Sequence, residues 1–323
     1  MRILVTGGAG FVGSHLNDVL LARGAAVVAV DDLSKGSIEN IQHNLSHDRF
    51  AFHEFDIRDT ERLQVAGEGA DVVVHLAAAK IPRYENTVES VALNFDGARA
   101  ALEVARTQKA KAVLASTSDV YGKSTEVPFR EDDDLVIGAS TSRRWAYAVS
   151  KLCDEHLAYA YQDEHGVPVT LLRFFGAYGE RQYLNWWGGP QGVFLDAIAN
   201  GREIEIHGDG SQTRCFIHVD DLAESIARAV ERPQANGEIL NVGTTEEVSI
   251  RELAVLMHRL SGLDGPLKAR DVSYASFTAN YEDVRRRVPD LTKMRQILDY
   301  EPRVLLEEGL RRLWVWYRLE RTA

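Results

Sequence analysis

One short stretch limits the possible architectures more than any other. Ile3-Leu4-Val5-Thr6, an apolar run of strand type, leads at once into Gly7-Gly8-Ala9-Gly10-Phe11-Val12-Gly13, and Leu16, Val19 and Leu20 then recur at helical spacing until Gly24. In a strand, glycine turn and helix joined this way, the first glycine permits a tight turn and the second lets backbone amides approach a pyrophosphate. The third lets helix and strand pack closely. The pyrophosphate then rests on the positive end of the helix. A glycine triplet alone is a weak signal in a chain with 25 glycines. Here Asp31 closes a second β-branched run at 26–31, at the distance where such folds carry an acidic residue. A carboxylate there accepts both hydrogen bonds of an adenosine ribose diol and repels a 2′-phosphate. The expected cofactor is therefore NAD rather than NADP, held by Gly7, Gly10, Phe11, Val12 and Asp31.

Apolar runs alternate with helical segments through the first half of the chain. Strands are expected at 3–6, 26–31, 50–55, 72–76, 112–116 and 167–173. Six strands with helical crossovers make an α/β fold, a doubly wound parallel-sheet Rossmann domain over residues 1–177. Beyond about Tyr178 the pattern loosens into glycine-rich loops, a late strand near 238–242 that belongs with the sheet, and helices near 250–260, 291–298 and 306–318. Residues 178–323 thus read as a smaller interleaved C-terminal substrate lobe. In the last helix Leu310, Leu313, Trp314 and Tyr317 share a face of core type.

Composition narrows the partners. With 323 residues, 45% of them hydrophobic and 26% charged, the chain has the make-up of an ordinary folded protein. Lys+Arg 37 against Asp+Glu 48 gives a net charge of −11, which lacks the basic footprint of a nucleic-acid binder. No stretch is long and apolar enough to span a membrane. Cys153 and Cys215 have no CxxC spacing, and the chain opens on a strand rather than a signal peptide, so a reducing, cytoplasmic location is expected. The run Glu131-Asp132-Asp133-Asp134 reads as a solvated loop, and no metal is expected.

The spacing Gly7-x-x-Gly10-x-x-Gly13 resembles that of the extended short-chain dehydrogenase/reductases, the NAD-dependent nucleotide-sugar epimerases and dehydratases, and the likeness runs along essentially the whole chain. Asp56-Ile57-Arg58-Asp59 and His75-Leu76-Ala77-Ala78 follow in the family's order. The resemblance implies that Asp56 and Ile57 lie at the adenine and that Leu76, Ala77 and Ala78 line the cofactor. It also implies a cofactor contact for Lys80 and a place near the site for Asn94. Arg173-Phe174-Phe175-Gly176-Ala177-Tyr178-Gly179 is similar to the family's Arg-x-x-Asn-x-Tyr-Gly, with Gly176 where an asparagine usually meets the substrate diphosphate. Gly208-Asp209-Gly210-Ser211-Gln212-Thr213-Arg214-Cys215-Phe216 matches a second signature, and Arg287 heads Arg-Val-Pro-Asp. Arginine suits a diphosphate because its planar fork binds two oxygens and keeps its charge. By the resemblance, Gly176, Arg181, Val193, Arg214 and Arg287 join Thr117 and Ser118 around the substrate, a UDP-sugar. The paired Trp186 and Trp187 fit either a stacking role or packing under the lobe. Relatives commonly dimerise through two helices, here expected at 87–106 and 147–164.

Tyr147 and Lys151, spaced by four, share a helical face. Such a pair arises readily by chance, but here it comes after Thr117-Ser118-Asp119-Val120-Tyr121-Gly122, which runs off the carboxyl end of the fifth strand, where parallel sheets bind ligands. The family chemistry explains the residue types. Hydride leaves a sugar carbinol only if a base takes the hydroxyl proton, and a free phenol near pKa 10 is protonated at neutral pH. A cation about 4 Å away contributes roughly 4 kcal/mol at an effective dielectric of 20, or ~3 pKa units. Lys151, together with the oxidised nicotinamide, is expected to supply it while holding the ribose; Thr117 holds the sugar. Ser118 and Asp119 decide the step after oxidation at C4. The related 4,6-dehydratases carry Asp-Glu there, and Ser118 cannot replace that acid. UDP-glucuronate decarboxylases carry Ser-Glu and a similar Arg-x-Pro-Asp, but Asp119 is one methylene shorter. Epimerisation needs only Tyr147, NAD and room for a ketone to turn, with hydroxyls pinning the carboxylate. The sequence alone therefore leans to a UDP-glucuronate/UDP-galacturonate 4-epimerase, an isomerase, with UDP-glucose 4-epimerase and UDP-glucuronate decarboxylase as alternatives; a non-catalytic NAD sensor would lack the intact Tyr147/Lys151 pair.

Overall fold

The computed structural model describes residues 1–80, 87–274 and 283–320. Its centre is a sheet of seven strands: β1 (Arg2–Thr6), β2 (Ala26–Asp31), β3 (Phe50–Glu54), β4 (Val72–His75), β5 (Lys111–Thr117), β6 (Val169–Phe174) and β10 (Glu238–Val242). Every pairing is parallel, in the order β10-β6-β5-β4-β1-β2-β3, with Leu4 facing Val28 on one side and Val73 on the other. Apart from the edge strand β3, whose residues after Phe50 are half-buried or exposed, the strands are buried on both faces, which is why they read as apolar runs. Ile3, Val5, Val27 and Val74 point into one core with α1 (Phe11–Ala22), α6 (Val219–Glu231) and α8 (Thr292–Leu298). The alternate residues Leu4, Val28 and Val73 point into a second core with α2 (Thr60–Ala66), α3 (Thr87–Gln108) and α4 (Ala146–His165). Gly166, left-handed at φ 68°, ends α4.

The strand order reverses between β1 and β4, so the crevice above their carboxyl ends is the switch point where such sheets bind ligands. Over this end sits the lobe. It comprises a three-stranded sheet of β7 (Gly176–Tyr178), β9 (Thr213–His218) and β11 (Glu247–Ser249), and a parallel pair, β8 (Ile204–His207) with β12 (Ala269–Val272). α5 (Gly189–Ala199), α7 (Ile250–Ser261) and α9 (Leu306–Glu320) pack on them. Leu310, Leu313, Trp314 and Tyr317 of α9 are all buried in that core. The chain crosses a boundary at residue 177 more than once: α6 and α8, as well as β10, return to the first body and fill the core beneath α1. Among the described residues no helix is long and apolar enough to cross a membrane.

Candidate active site

The dinucleotide cleft follows from the glycine turn. Gly7 is left-handed at φ 72°, and a Cβ there would come within 2.7 Å of the Ala77 amide nitrogen. A Cβ at Gly13 would stand 2.1 Å from the Gly7 carbonyl oxygen, so the helix reaches the turn only without a side chain. Asp31 is buried where β2 ends, and its carboxylate accepts from the amides of Ala9 (3.0 Å) and Leu33 (2.9 Å). Burial raises its pKa against the opposing pull of those amides. Gly7, Gly10, Phe11, Val12, Asp31, Asp56, Ile57, Leu76, Ala77, Ala78, Lys80, Tyr147 and Lys151 all line this one cleft. Asp56 is forked by Arg58 at 2.6 Å, which holds its carboxyl below the usual range. A bare turn, a helix amino end and an acid at the end of β2 are what a dinucleotide requires, so the residues present fit NAD.

A second, arginine-rich cavity opens beside the cleft, and Lys80, Asp119, Tyr147, Gly176, Ala177 and Arg287 line both. Tyr147 therefore stands where two ligands would meet. Its phenol hydrogen-bonds Thr117, which lowers its pKa, but burial first, then the charges of Asp119 and Asp154, push it well above the ordinary phenol value. Behind it, Lys151 Nζ lies 2.8 Å from Asp154 Oδ2, with both side chains 2% exposed, so the lysine of the pair has a buried counter-ion. On α3, Asn94 receives the Ala79 amide (2.7 Å) and donates to Ser150 (2.9 Å), tying the loop after β4 to the helix that carries Tyr147 and Lys151. Beneath lies His75, fully buried, its Nδ1 on Thr6 at 2.8 Å and its pKa depressed to about 3 by burial and by Lys151.

The substrate cavity sets three carboxylates, Asp119, Glu205 and Asp283, against an excess of guanidinium. Asp119 is held by Arg144 at 2.9 Å and Arg287 at 2.6 Å, and Arg287 also donates to Ser118 at 3.3 Å. Burial brings the Arg287 pKa down to about 10, so it stays charged at neutral pH. Arg214 is braced by Asp283 (2.9 Å) and the Val284 carbonyl (2.7 Å), and Tyr274 donates to the same Asp283. Gly176 has no room for the asparagine of its signature: a Cβ would lie 2.6 Å from the Phe216 ring. Arg143, Arg144 and Arg214 line the cavity instead. Two expected residues stand elsewhere. Arg181, with φ 61°, turns back to α1 and pairs with Asp18 at 2.9 Å, and Val193 packs into the lobe core beside Phe194, which does line the cavity. The tryptophans divide: Trp186 stacks on His207 (4.3 Å) in the substrate cavity, and Trp187 borders the cofactor cleft under Lys35, 4.4 Å above its ring.

Arg144 and Asp154 were not foreseen. Each lies three residues from a catalytic candidate, within one helical turn of Tyr147 and of Lys151, and that spacing was the available signal. The acidic loop at 131–134 is partly structural, since Glu131 accepts the Asn241 amide at 2.7 Å. Glu180, His218 and Asp220 bring donor atoms within 4.8 Å of one another where the lobe meets α1, and Arg312 already pairs with Asp220.

Comparison with known proteins agrees with this geometry. Residues 3–243 match the family model described as the NAD dependent epimerase/dehydratase family. The chain belongs to that family. It is 37% identical over 320 residues, 98% of either chain, to a UDP-N-acetyl-alpha-D-glucosaminuronate decarboxylase of Bacillus cytotoxicus. It is 33% identical to UDP-glucuronic acid decarboxylase 1 of Xenopus tropicalis, covering 99% of this chain and 72% of that one. Among solved structures, the UDP-glucuronic acid 4-epimerase of Bacillus cereus, in complex with UDP-glucuronic acid and NAD, superposes with a TM-score of 0.89 at 29% identity, covering 99% of this chain and all of the other. The protein is thus an NAD-dependent enzyme of nucleotide-sugar chemistry.

Proposed function

We propose that this enzyme is a UDP-uronic acid decarboxylase. The observation that carries the reading is Arg287, the arginine of Arg-Val-Pro-Asp, seated between Ser118 and Asp119 at the junction of the two cavities. A uronate entering beside Tyr147 would bring its carboxylate to a guanidinium that already serves one anion. Two carboxylates sharing the Arg144/Arg287 pair repel, and loss of carbon dioxide removes one of them; epimerisation would keep both. Asp119 already holds two cations, Arg144 and Arg287, so its shorter side chain matters less than a proton-donor role would require. The sequence's lean toward an epimerase rested on that shorter side chain, on epimerisation needing the fewest groups and on hydroxyls pinning the carboxylate; the relatives of Bacillus cytotoxicus and Xenopus tropicalis, both decarboxylases by name, favour the other branch.

When bound, NAD accepts a hydride from C4 of the sugar and later returns it. Tyr147 takes the C4 hydroxyl proton while Thr117 holds that oxygen. The resulting 4-keto uronate is a β-keto acid. Its C5–C6 bond breaks when it stands perpendicular to the ketone, the bonding pair passing into an enolate as carbon dioxide leaves, and C5 then takes a proton from water. Arg287 and Ser118 set that angle by fixing the carboxylate. Tyr147 then gives its proton back as C4 is reduced. The second reading, a UDP-glucuronate 4-epimerase, is favoured by the Bacillus cereus neighbour. Incubating the protein with UDP-glucuronate and NAD and following the sugar by NMR decides between them. UDP-xylose with release of carbon dioxide is expected, whereas UDP-galacturonate with the carboxylate retained overturns the reading. We also propose a homodimer through α3 and α4, where Val88, Val91, Phe95 and Val149 leave a row of exposed apolar side chains; sedimentation velocity tests it.

A further inference from the structure

Asn241, fully buried in β10, joins two parts of the site that lie far apart in the chain. Its Oδ1 accepts from the Tyr121 hydroxyl at 2.7 Å, and its Nδ2 donates to the carbonyls of Phe129 (2.9 Å) and Asp290 (3.3 Å). Arg173 fixes the sense of these bonds. It can only donate, and does so to the Tyr121 oxygen at 3.1 Å, so the tyrosine gives its own proton to Asn241 and the amide has one orientation. On one side Tyr121 ends the helical turn Ser118–Tyr121, which carries Ser118 and Asp119. On the other, the Phe129 amide donates to the Val288 carbonyl and the Asp290 amide to the Phe129 carbonyl, both at 2.8 Å, so the segment that begins with Arg287 is bridged to Phe129. The Phe129 ring in turn stacks on Tyr121, with centroids 4.6 Å apart. Asn241 therefore holds both the turn and the segment whose guanidinium meets Ser118 and Asp119. None of its side-chain hydrogen bonds reaches Thr117, Tyr147 or Lys151, and α4 is tied to the sheet separately, by Glu155 on Arg173 at 2.8 Å.

We propose that Asn241 is a positioning residue that sets the spacing between Arg287 and the Ser118–Asp119 turn, and so governs the loss of carbon dioxide but not the hydride step. The inference rests on the decarboxylase reading, in which Arg287 and Ser118 fix the angle of the uronate carboxylate. Cleavage of the C5–C6 bond depends on that angle, and a shift of about an ångström in the groups that set it can cost ~10²-fold. Hydride transfer depends instead on Thr117, Tyr147 and the cofactor, which keep their own supports.

The test is single-turnover kinetics of the NAD-loaded protein mixed with UDP-glucuronate, with near-ultraviolet absorbance following reduction of the nicotinamide and a second assay following carbon dioxide. In Asn241→Ala the cofactor should be reduced at a rate within about twofold of wild type while carbon dioxide release slows roughly tenfold or more, so that reduced cofactor accumulates. Equal slowing of the two steps, which a purely structural role gives, overturns the proposal, as does no slowing of either. Tyr121→Phe keeps the ring stack and removes only the link from the turn to Asn241. It should show the same split at smaller size, and it decides the matter if Asn241→Ala does not fold; parallel or absent effects there overturn the proposal too. Wild type run alongside separates the two levels of the account. A wild type that reduces NAD and takes the hydride back without releasing carbon dioxide overturns the decarboxylase reading and this role with it, whereas a decarboxylating wild type whose variants slow both steps alike overturns the role of Asn241 alone.

Discussion

Tyr147 separates two charged environments built on opposite plans. Behind it, in the sheet-and-helix body, charges are closed pairs: Lys151 with Asp154 and Arg173 with Glu155, all nearly inaccessible. In front, in the substrate cavity, cations outnumber anions: Arg143, Arg144, Arg214, Arg287 and Lys80 stand against Asp119, Glu205 and Asp283. A closed buried pair returns little net stability for its desolvation but fixes geometry, and removing one partner leaves a stranded charge. An open excess of guanidinium is completed by the anions of a bound ligand, which in the proposed function are a diphosphate and a carboxylate. The cofactor side is thus finished by folding, and the substrate side by binding.

That contrast can be broken in several places. The largest effect is expected at the boundary itself: Tyr147→Phe should fold and bind NAD as wild type does, yet lose ~10²-fold or more in turnover, measured by steady-state kinetics beside isothermal titration of NAD. On the open side, Arg287→Met should raise KM for a UDP-uronate ~30-fold with little change in melting temperature, because it removes an anion contact made in the complex. If KM holds and stability collapses instead, Arg287 belongs to the closed class. On the closed side, Asp31→Asn should weaken NAD ~10-fold by direct titration and narrow the preference over NADP. The smallest effect concerns His75. Its folded pKa of about 3 lies below the unfolded 6.5, so the unfolded chain gains a proton first as pH falls. Stability is full above 6.5 and is lost on the way down, by about 1 kcal/mol between pH 6.5 and 5.5. Urea unfolding at those two pH values should show this increment in wild type and not in His75→Gln.

Much of the closed side was legible in the sequence. The glycine turn, Asp31, Asp56 and the Leu76–Ala78 segment are local patterns at fixed offsets from strands, and the strands announce themselves by continuous burial. The open side was less so, because its contacts join residues far apart in the chain: Arg287 reaches Ser118 across 169 positions and Arg214 reaches Asp283 across 69. Arg181 shows the limit. Its charge and nearness to the Tyr178-Gly179 signature suggested the substrate, but a left-handed backbone turns it to Asp18. Gly176 shows the reverse: a missing asparagine that looked like a lost contact is a space already filled by Phe216.

Decarboxylation at this site requires a uronate carboxylate to meet Arg287 while its C4 hydroxyl meets Tyr147. A crystal structure of Tyr147→Phe with NAD and UDP-glucuronate measures this directly. The carboxylate should lie within about 3.2 Å of the Arg287 guanidinium and the Ser118 hydroxyl, with O4 at Thr117 and C4 facing the nicotinamide. A carboxylate turned toward Trp186 or the solvent, with Arg287 still bound only to Asp119 and Ser118, would contradict it.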